Sequence, residues 1–459
     1  MPADEVQRRR WIGYAICLAG FVLTFAAFSP GMMSPDSIAS LNEGRSGIIY
    51  DQNSPLMSFI WGLLDQILEG PVLMFTLQIA IYWTAVACLW EAVYRESFLL
   101  ALGAVAAAFL PHMLSQLPVI WKDVGMAVTL FLAVALIYVA RKKRSRIALA
   151  ISPLFLFYAF SARLNAVTAV LPIAIWSGFV ATSVFDLGRS WIGSTTIGVA
   201  YFCLLILAAL GAQWIITGGR TSYPFQYVML YDLAAISLAT GEPRVPSYVA
   251  EDENFSMEKL RQNYAPTTVG GLVYNEQAAD GRAPMTFSED PNDIAELRST
   301  WRQQVFSEPL AYLAHRASVF AQLIGLRRSV SLQYWDLELT RNPSEYPIER
   351  NPANRILTGY LGAFRRPVTQ SFFFRAIVWI LAGVFLLYRA MRSKFSGDWA
   401  FVSVLAASSL LYIFAYFIVA PAADFRYIYW PAIASTVAVV FGIYLLRKGA
   451  VGSPADVSA

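Results

Sequence analysis

The chain has 459 residues, of which 57% are hydrophobic and only 14% are charged. Soluble globular proteins carry about a quarter charged residues, so this composition excludes a soluble cytoplasmic enzyme and predicts an all-α polytopic membrane protein. The formal net charge of +4 is too small to suggest nucleic-acid binding. The three cysteines lie in apolar runs and form no CxxC pair, which predicts neither a disulfide framework nor a metal site.

Apolar stretches predict about ten membrane spans, because a helix needs about 20 apolar residues to cross a bilayer. The stretch 147–184 is much longer than one crossing requires, so we divide it at Arg163 and Asn165. We interpret the first span as an uncleaved anchor, because its apolar region exceeds that of a signal peptide. The predicted spans are 11–30, 72–94, 98–118, 124–140, 147–161, 165–184, 191–217, 373–391, 399–420 and 428–446.

The distribution of basic residues predicts the orientation of these spans. Loops on one side carry fifteen Lys and Arg residues, whereas the short loops on the other side carry four. Cytoplasmic loops are enriched in Lys and Arg, so both termini are predicted to be cytoplasmic.

One segment differs from the rest in composition. Residues 218–371 hold 32 of the 66 charged residues, which predicts an external soluble domain of mixed or helical structure. The predicted organisation is therefore a module of seven spans at 1–217, with a first outer loop at 31–71, then the external domain, then a module of three spans at 372–459.

Within this external segment, the acidic and Pro/Gly-rich part from Gly241 to Pro291 is typical of a loop, and Asp293 to Phe306 is typical of a helix. From Leu310 to Ile324 an apolar stripe at helical spacing is interrupted by His315 and Arg316. This pattern predicts a helix that lies either along the domain or along the membrane surface.

Ionisable residues from four separate loops fall on the predicted outer side of the membrane. Such groups at the ends of spans are candidate site residues, because burying a charge between helices is costly. They are Asp36, Lys122 with Asp123, Arg163 with Asn165, and Asp424 with Arg426.

Each of these groups also has a structural interpretation. Asp36 lies where a helix begins and would satisfy free backbone N–H groups. Lys122 and Asp123 would form a local ion pair at the interface, and the residues from Asp424 to Tyr427 would form a polar turn in an aromatic belt. Arg163 is more informative, because a tight turn between two spans needs no arginine, whereas a guanidinium can hold a phosphate with two hydrogen bonds.

Neither histidine indicates a catalytic base. His112 follows Pro111 late in a predicted span and is typical of helix packing, and His315 is interpreted as a surface residue. The chain contains no HExxH, Walker, GxSxG or strand-associated GxGxxG motif, so zinc and soluble-nucleotide chemistry have no sequence support.

Five short motifs, taken in order, resemble those of a known superfamily. They are Ser34-Pro35-Asp36-Ser37, the amphipathic stretch Pro55 to Leu68, Ile120-Trp121-Lys122-Asp123, Arg163-Leu164-Asn165, and Asp424-Phe425-Arg426-Tyr427. The chain resembles a bacterial member of the GT-C superfamily, whose polytopic glycosyltransferases use polyprenyl-phosphate-linked sugars on the periplasmic or luminal side. Asn53-Ser54-Pro55 stands where relatives often have a His-Pro-Pro-type element, and the first loop has no paired Asp-Glu or Asp-x-Asp.

The resemblance implies a GT-C-like fold in the bacterial inner membrane with a periplasmic active site. It implies that the first outer loop at 31–71 is catalytic, with Asp36 as the base, and that Asp123 orients the acceptor or binds a labile cation. Lys122, Arg163 and Arg426 would bind the donor phosphate. The substrate would also contact Asn165, Asp232 and Tyr427.

The implied partners are a polyprenyl-phosphate-linked sugar, a glycan, lipid or protein acceptor, and the lipid bilayer. No cofactor is firmly implied, and the absence of a paired acid in the first loop argues against a tightly bound metal, although a divalent cation stays compatible with the resemblance.

Two other functions stay open. A polysaccharide polymerase or ligase would use a polyprenyl-diphosphate glycan and outer-loop arginines, for which Arg327, Arg328, Arg365 and Arg366 are candidates. A flippase or transporter of lipid-linked sugars would place its polar groups near the membrane centre, whereas the ionisable groups of this chain lie at the outer edge.

Overall fold

The computed structural model describes residues 3–188, 190–327, 342–364 and 373–451, and within these ranges the chain forms helices and no β-sheet. Seven of the helices are long and apolar enough to cross a membrane. The prediction of an all-α, multi-pass membrane protein is confirmed at this level.

The described part of the first module contains ten α-helices. They are α1 (Ala3–Phe28), α2 (Pro35–Ser46), α3 (Pro55–Asp65), α4 (Val72–Val93), α5 (Phe98–Ala108), α6 (Pro111–Leu114), α7 (Lys122–Lys143), α8 (Arg146–Ala162), α9 (Val167–Val184) and α10 (Trp191–Thr217).

The described helices of the external segment and of the C-terminal module follow. They are α11 (Gln226–Thr240), α12 (Ser247–Ala250), α13 (Met257–Asn263), α14 (Gly270–Val273), α15 (Pro291–Ser307), α16 (Pro309–Leu323), α17 (Pro352–Ala363), α18 (Ala376–Arg392), α19 (Trp399–Val419) and α20 (Tyr429–Val451). The seven long apolar helices are α1, α4, α7, α9, α10, α19 and α20.

The predicted span at 98–118 is wrong as one continuous helix. Helix α5 has only 11 residues, and the chain later runs extended beside Met32, whose N–H donates to the Pro118 carbonyl at 2.9 Å. Pro111 and Pro118 cause this break, because proline has no N–H and disfavours helix in the residue before it. The spans predicted at 147–161 and 373–391 correspond to helices of 17 residues each, α8 and α18.

Helix α7 is the central element of the helix bundle. Its 22 residues give a length of roughly 33 Å, which matches the hydrocarbon thickness of a bilayer. It packs against α4, α8, α9 and α20, and almost all of its side chains are buried. Lys122 lies at its first residue, and a basic last turn lies at its other end.

Charged residues that the orientation rule assigns to the cytoplasmic side lie together at this basic end. Lys142 Nζ is 2.7 Å from Glu96 and 3.3 Å from Asp398, and Arg10 Nε is 3.1 Å from Glu91. These residues come from the N-terminal helix, the end of α4 and the turn before α19, so the structure gathers them on one side of the bundle, opposite Lys122.

The external segment is helical in its described part. The helix predicted from Asp293 to Phe306 is present as α15, and the predicted loop before it contains three short α-helices and one 3-10 turn. The segment is joined to the spans by backbone hydrogen bonds: the Val269 N–H donates to the Pro421 carbonyl at 2.9 Å, and the Ala423 N–H donates to the Thr267 carbonyl at 2.8 Å. Arg328, Arg365 and Arg366 lie outside the described residues.

Candidate active site

The ionisable residues singled out from the four loops meet at one end of the helix bundle. Asp36 lies in the first turn of α2, Lys122 begins α7, Arg163 follows α8, and Arg426 lies in the short turn before α20. Arg426 Nη1 is 2.5 Å from Asp36 Oδ2. Residues that are almost 400 positions apart in the sequence therefore share one site.

The start of α2 is fixed by side chains of small polar residues. Ser34 caps the helix and receives a hydrogen bond from the Trp121 indole N–H at 2.6 Å. Ser37 Oγ donates to the Ile120 carbonyl at 2.8 Å. Because Ile120 and Trp121 lead directly into α7, these two bonds hold Asp36 next to the first turn of α7.

The carboxylate of Asp36 is half exposed and is surrounded by positive charge. Burial raises its pKa, but the charges of Arg426 and Lys122 and the hydrogen bond from Arg426 outweigh this effect, so the pKa lies below its ordinary value. Asp36 is therefore ionised at neutral pH and, while it is paired with Arg426, is a weak base.

Arg426 contacts two carboxylates and two aromatic rings. Besides Asp36, its Nε is 3.1 Å from Asp424 Oδ2, and the guanidinium lies 4.9 Å from the Trp121 ring and 5.2 Å from the Tyr427 ring. Burial raises the pKa of Asp424 to about 6, although the charge of Arg426 opposes this. The guanidinium is oriented by these contacts yet keeps a partly exposed edge, as a phosphate-binding arginine requires.

Arg163 and Asp123 form a second ion pair beside the first. Arg163 Nη1 is 2.6 Å from Asp123 Oδ1, and the same guanidinium donates to Asn165 Oδ1 and to the Tyr416 hydroxyl, each at 3.2 Å. The ring of Tyr427 lies 5.2 Å from Arg163 as well as from Arg426, so both guanidinium groups contact the same aromatic side chain. The carboxylate of Asp123 is buried, and this favours orientation of Arg163 over contact with an acceptor.

Lys122 closes the site on the side of the first outer loop. Its Nζ donates to the Gln52 carbonyl at 2.6 Å and faces a small cleft beneath α2. The cleft is lined by Asp36, Ser40, Asn53, Met57, Ile120, Trp121, Lys122 and Asp123.

Glu43 is a site residue that the sequence analysis missed. Asp36, Ser40 and Glu43 are spaced as i, i+4 and i+7, so they share one face of α2. Glu43 accepts hydrogen bonds from Ser58 at 2.8 Å and Asn53 at 3.2 Å, and burial raises its pKa in spite of these bonds. The helical spacing within Pro35–Ser46 was the signal that would have identified it.

A chain of hydrogen bonds connects the site to the external segment, and it was also missed. The Gln52 amide donates to the Tyr227 hydroxyl at 2.8 Å, and the Tyr274 hydroxyl donates to the same oxygen at 2.6 Å. Phe287 packs on Tyr227 with the ring centroids 4.5 Å apart. These partly exposed rings form an aromatic wall near Lys122.

Asp232 lies in a separate buried cluster. Its carboxylate is 2.6 Å from Arg316 Nε and accepts the Trp301 indole N–H at 2.8 Å, and both members of the ion pair are inaccessible to solvent. His315 lies 3.4 Å from the same carboxylate and is buried, so the interpretation of His315 as a surface residue is wrong. This environment favours a structural role for Asp232 over the substrate contact that the resemblance implies.

An apolar groove lies on the other side of α3 from the cleft. It has a volume of about 290 Å³ and is formed by α3, α4, α7 and α8. Leu56 and Ile60 of α3 line the groove, and Met57 between them lines the cleft. Leu154 at its rim is 63% exposed, so the groove opens onto the apolar outer surface of the helix bundle.

No group of three or more His, Cys, Asp or Glu side chains in the described ranges is arranged to hold a metal ion. The carboxylates of the site face cations instead. Comparison with protein-family models, curated proteins and solved structures finds no match to the chain.

Proposed function

We propose that the protein is a membrane glycosyltransferase that moves a sugar from a polyprenyl-phosphate donor to a hydroxyl acceptor at the outer face of the inner membrane. The observation that carries this proposal is the contact between a carboxylate and a cluster of cations at the end of the helix bundle, next to an apolar groove open to lipid. A lipid-linked phosphate needs cations for its phosphate group and an apolar groove for its hydrocarbon chain, and the two must lie within the length of one molecule.

The cations provide the site for the donor phosphate. Arg163 and Arg426 both lie against Tyr427, and Lys122 lines the adjacent cleft with Asp36 and Asp123. Preorganised cations stabilise the negative charge that develops on a departing phosphate, and this kind of stabilisation is usually the largest contribution to catalysis. The ion pairs with Asp123 and Asp424 keep the two guanidinium groups in place before the donor binds.

Asp36 is the base in this mechanism. The acceptor oxygen attacks the anomeric carbon, its proton passes to the Asp36 carboxylate, and the bond from that carbon to the phosphate oxygen breaks with its electron pair on the leaving polyprenyl phosphate. The product has inverted configuration. An incoming phosphate competes for Arg426, so the pKa of Asp36 rises towards its ordinary value when the donor is bound and the carboxylate becomes a stronger base.

The groove between α3 and α8 accommodates the first isoprenoid units of the donor. Its lining is almost entirely apolar, and its volume suits a branched hydrocarbon segment. The remainder of the polyprenyl chain would extend into the bilayer past Leu154.

The test is transfer by purified Asp36→Asn protein in vesicles with a radiolabelled polyprenyl-phosphate sugar. We expect a loss of about 10²- to 10⁴-fold, the usual value of a positioned general base. Asp280→Asn, which removes a partly exposed carboxylate of the external segment, is the matched control and should transfer normally. Full activity of Asp36→Asn would contradict the mechanism.

The same vesicles separate the alternative functions. Transfer from a diphosphate-linked glycan but not from a monophosphate donor would favour a polymerase or ligase. Movement of the labelled lipid across the bilayer without any glycosyl product would favour a flippase.

A further inference from the structure

Helix α16 has an unusual distribution of exposed side chains. Its exposed residues are all apolar, and they are Pro309, Leu310, Leu313, Ala314 and Ala317. Its one charged side chain, Arg316, is fully buried. A helix on the surface of a soluble domain shows the opposite pattern, with polar residues towards water.

The buried side of α16 explains which face must point outward. Arg316 pairs with Asp232 and donates to the Ala420 carbonyl at 3.0 Å, and His315 Nδ1 lies 2.8 Å from the Tyr264 hydroxyl. These contacts fix the rotation of the helix about its axis. The apolar stripe is therefore held away from the protein interior.

The apolar stripe continues an apolar surface that belongs to a spanning helix. The ring of Phe320, near the end of α16, lies 5.6 Å from Phe417 and 6.1 Å from Phe414 of α19. Phe414 and Ile418 are about half exposed, as residues that face lipid are. Phe417 and Phe414 precede the end of α19 at Val419 by roughly 3 and 8 Å at 1.5 Å per residue.

The distance of α16 from the end of the spanning helix α19 corresponds to the depth at which interfacial helices lie in a membrane. Amphipathic helices that lie on a membrane bury their apolar face about 5–10 Å into the boundary between headgroups and acyl chains. The neighbouring end of α15 adds Phe306, which is 84% exposed, next to Leu310, which is 81% exposed. Large apolar side chains in one continuous exposed patch mark an interaction surface.

We propose that α16 lies in the membrane interface at the end of the bundle that carries the site, with Phe306, Leu310 and Leu313 in contact with lipid. The partner of this surface is the bilayer itself. The proposal is independent of the glycosyl transfer. In this arrangement one face of α16 attaches the external segment to lipid. On the opposite face, Arg316 donates to the Ala420 carbonyl, at the start of the turn that leads to Arg426.

Spin labels test the proposal in vesicles of phosphatidylethanolamine and phosphatidylglycerol. Single cysteines would replace Leu310 and Leu313 in full-length protein whose three native cysteines are changed to alanine. Gln303→Cys on the polar surface of α15 is the water control, and Ile418→Cys on α19 is the lipid control. The ratio of accessibility to oxygen over accessibility to a water-soluble nickel chelate should be about threefold higher at Leu310 and Leu313 than at Gln303, because a face buried between headgroups and acyl chains is shielded from the water-soluble reagent.

Two results would overturn the proposal. A ratio equal to that at Gln303 would show that the stripe faces water, and a label that neither reagent reaches would show that protein covers it, such as a second copy of the chain. The unsubstituted protein gives a second measurement: a lipid with a photoreactive acyl chain should label peptides of both α16 and α19. Labelling of α19 without α16 would contradict the proposal.

Discussion

Arg316→Met tests whether the buried cluster attaches the external segment to the spans. The substitution removes the guanidinium that pairs with Asp232 at 2.6 Å and that donates to the carbonyls of Ala420 at 3.0 Å and Val228 at 3.3 Å. Both partners of the ion pair are fully buried, so Asp232 would be left as an uncompensated charge. Removing one member of such a pair costs about 3–5 kcal/mol.

This free energy translates into a measurable rate of hydrogen exchange. At about 1.4 kcal/mol per factor of ten, amide protection in α11, α15 and α16 should fall by roughly 100- to 4000-fold if these helices open together. Peptides from α4, which packs mainly against α1, α5 and α7, serve as the internal control and should keep their protection. Exchange followed by mass spectrometry measures both sets in one sample.

A second substitution distinguishes the loss of an ion pair from simple damage to packing. Adding Asp232→Leu to Arg316→Met removes the orphaned charge, and replacement of a whole buried pair by apolar residues is often close to neutral. The double variant should therefore recover part of the lost protection. A double variant that is less protected than Arg316→Met alone would refute the reasoning, as would a single variant that loses less than about tenfold.

Three further predictions concern the site, the groove and the pH dependence of stability. Arg426→Gln removes a charge that lowers the pKa of Asp36, so the acidic limb of kcat/KM should move to higher pH; a limb that stays in place would argue against Asp36 as the base. Gly125→Leu adds a side chain in the groove, where a Cβ atom at position 125 would already lie 3.2 Å from the Tyr158 hydroxyl. KM should therefore rise for a donor with a long polyprenyl chain and change little for a donor with a short chain. An equal rise for both donors would place the lipid elsewhere. Burial, with a smaller effect from the adjacent Arg316 guanidinium, lowers the pKa of His315 from 6.5 to about 3. As the pH falls, His315 is therefore protonated in the unfolded state before it is protonated in the folded state. The free energy of unfolding should fall as the pH drops from about 6.5 towards 3. In thermal unfolding at several pH values, His315→Phe should lose this part of the pH dependence, which amounts to up to about 1.4 kcal/mol of unfolding free energy per pH unit. An unchanged slope would contradict the assignment of this pH dependence to His315.

The residues of the site could be identified from the sequence because each lies at the end of an apolar stretch. Asp36, Lys122, Arg163 and Arg426 all fall on the same side when spans alternate in direction, and the structure brings them into one cluster. The end of an apolar stretch is informative because the bilayer thickness fixes the length of each crossing, whereas the predicted count of ten spans compares with seven described helices of sufficient length.

The partners within the site could not be predicted. The sequence allows a local ion pair between Lys122 and Asp123, but Asp123 pairs with Arg163 instead. Adjacent residues on a helix point about 100° apart, so neighbours in sequence do not face each other. Glu43 was missed for a related reason, because its proximity to the cleft depends on how α2 packs against α3.

The sequence by itself determined the class of protein, since composition and the length of apolar runs are local properties that a bilayer selects directly. It also determined which charged residues stand at the ends of apolar stretches. Tertiary structure decided which of these charges touch: Arg426 with Asp36, and Arg316 with Asp232. It also decided that α16 buries its charge and exposes Leu310 and Leu313. These outcomes depend on the packing of helices that are far apart in the chain, and periodicity within one helix does not say which of its faces a distant helix will cover.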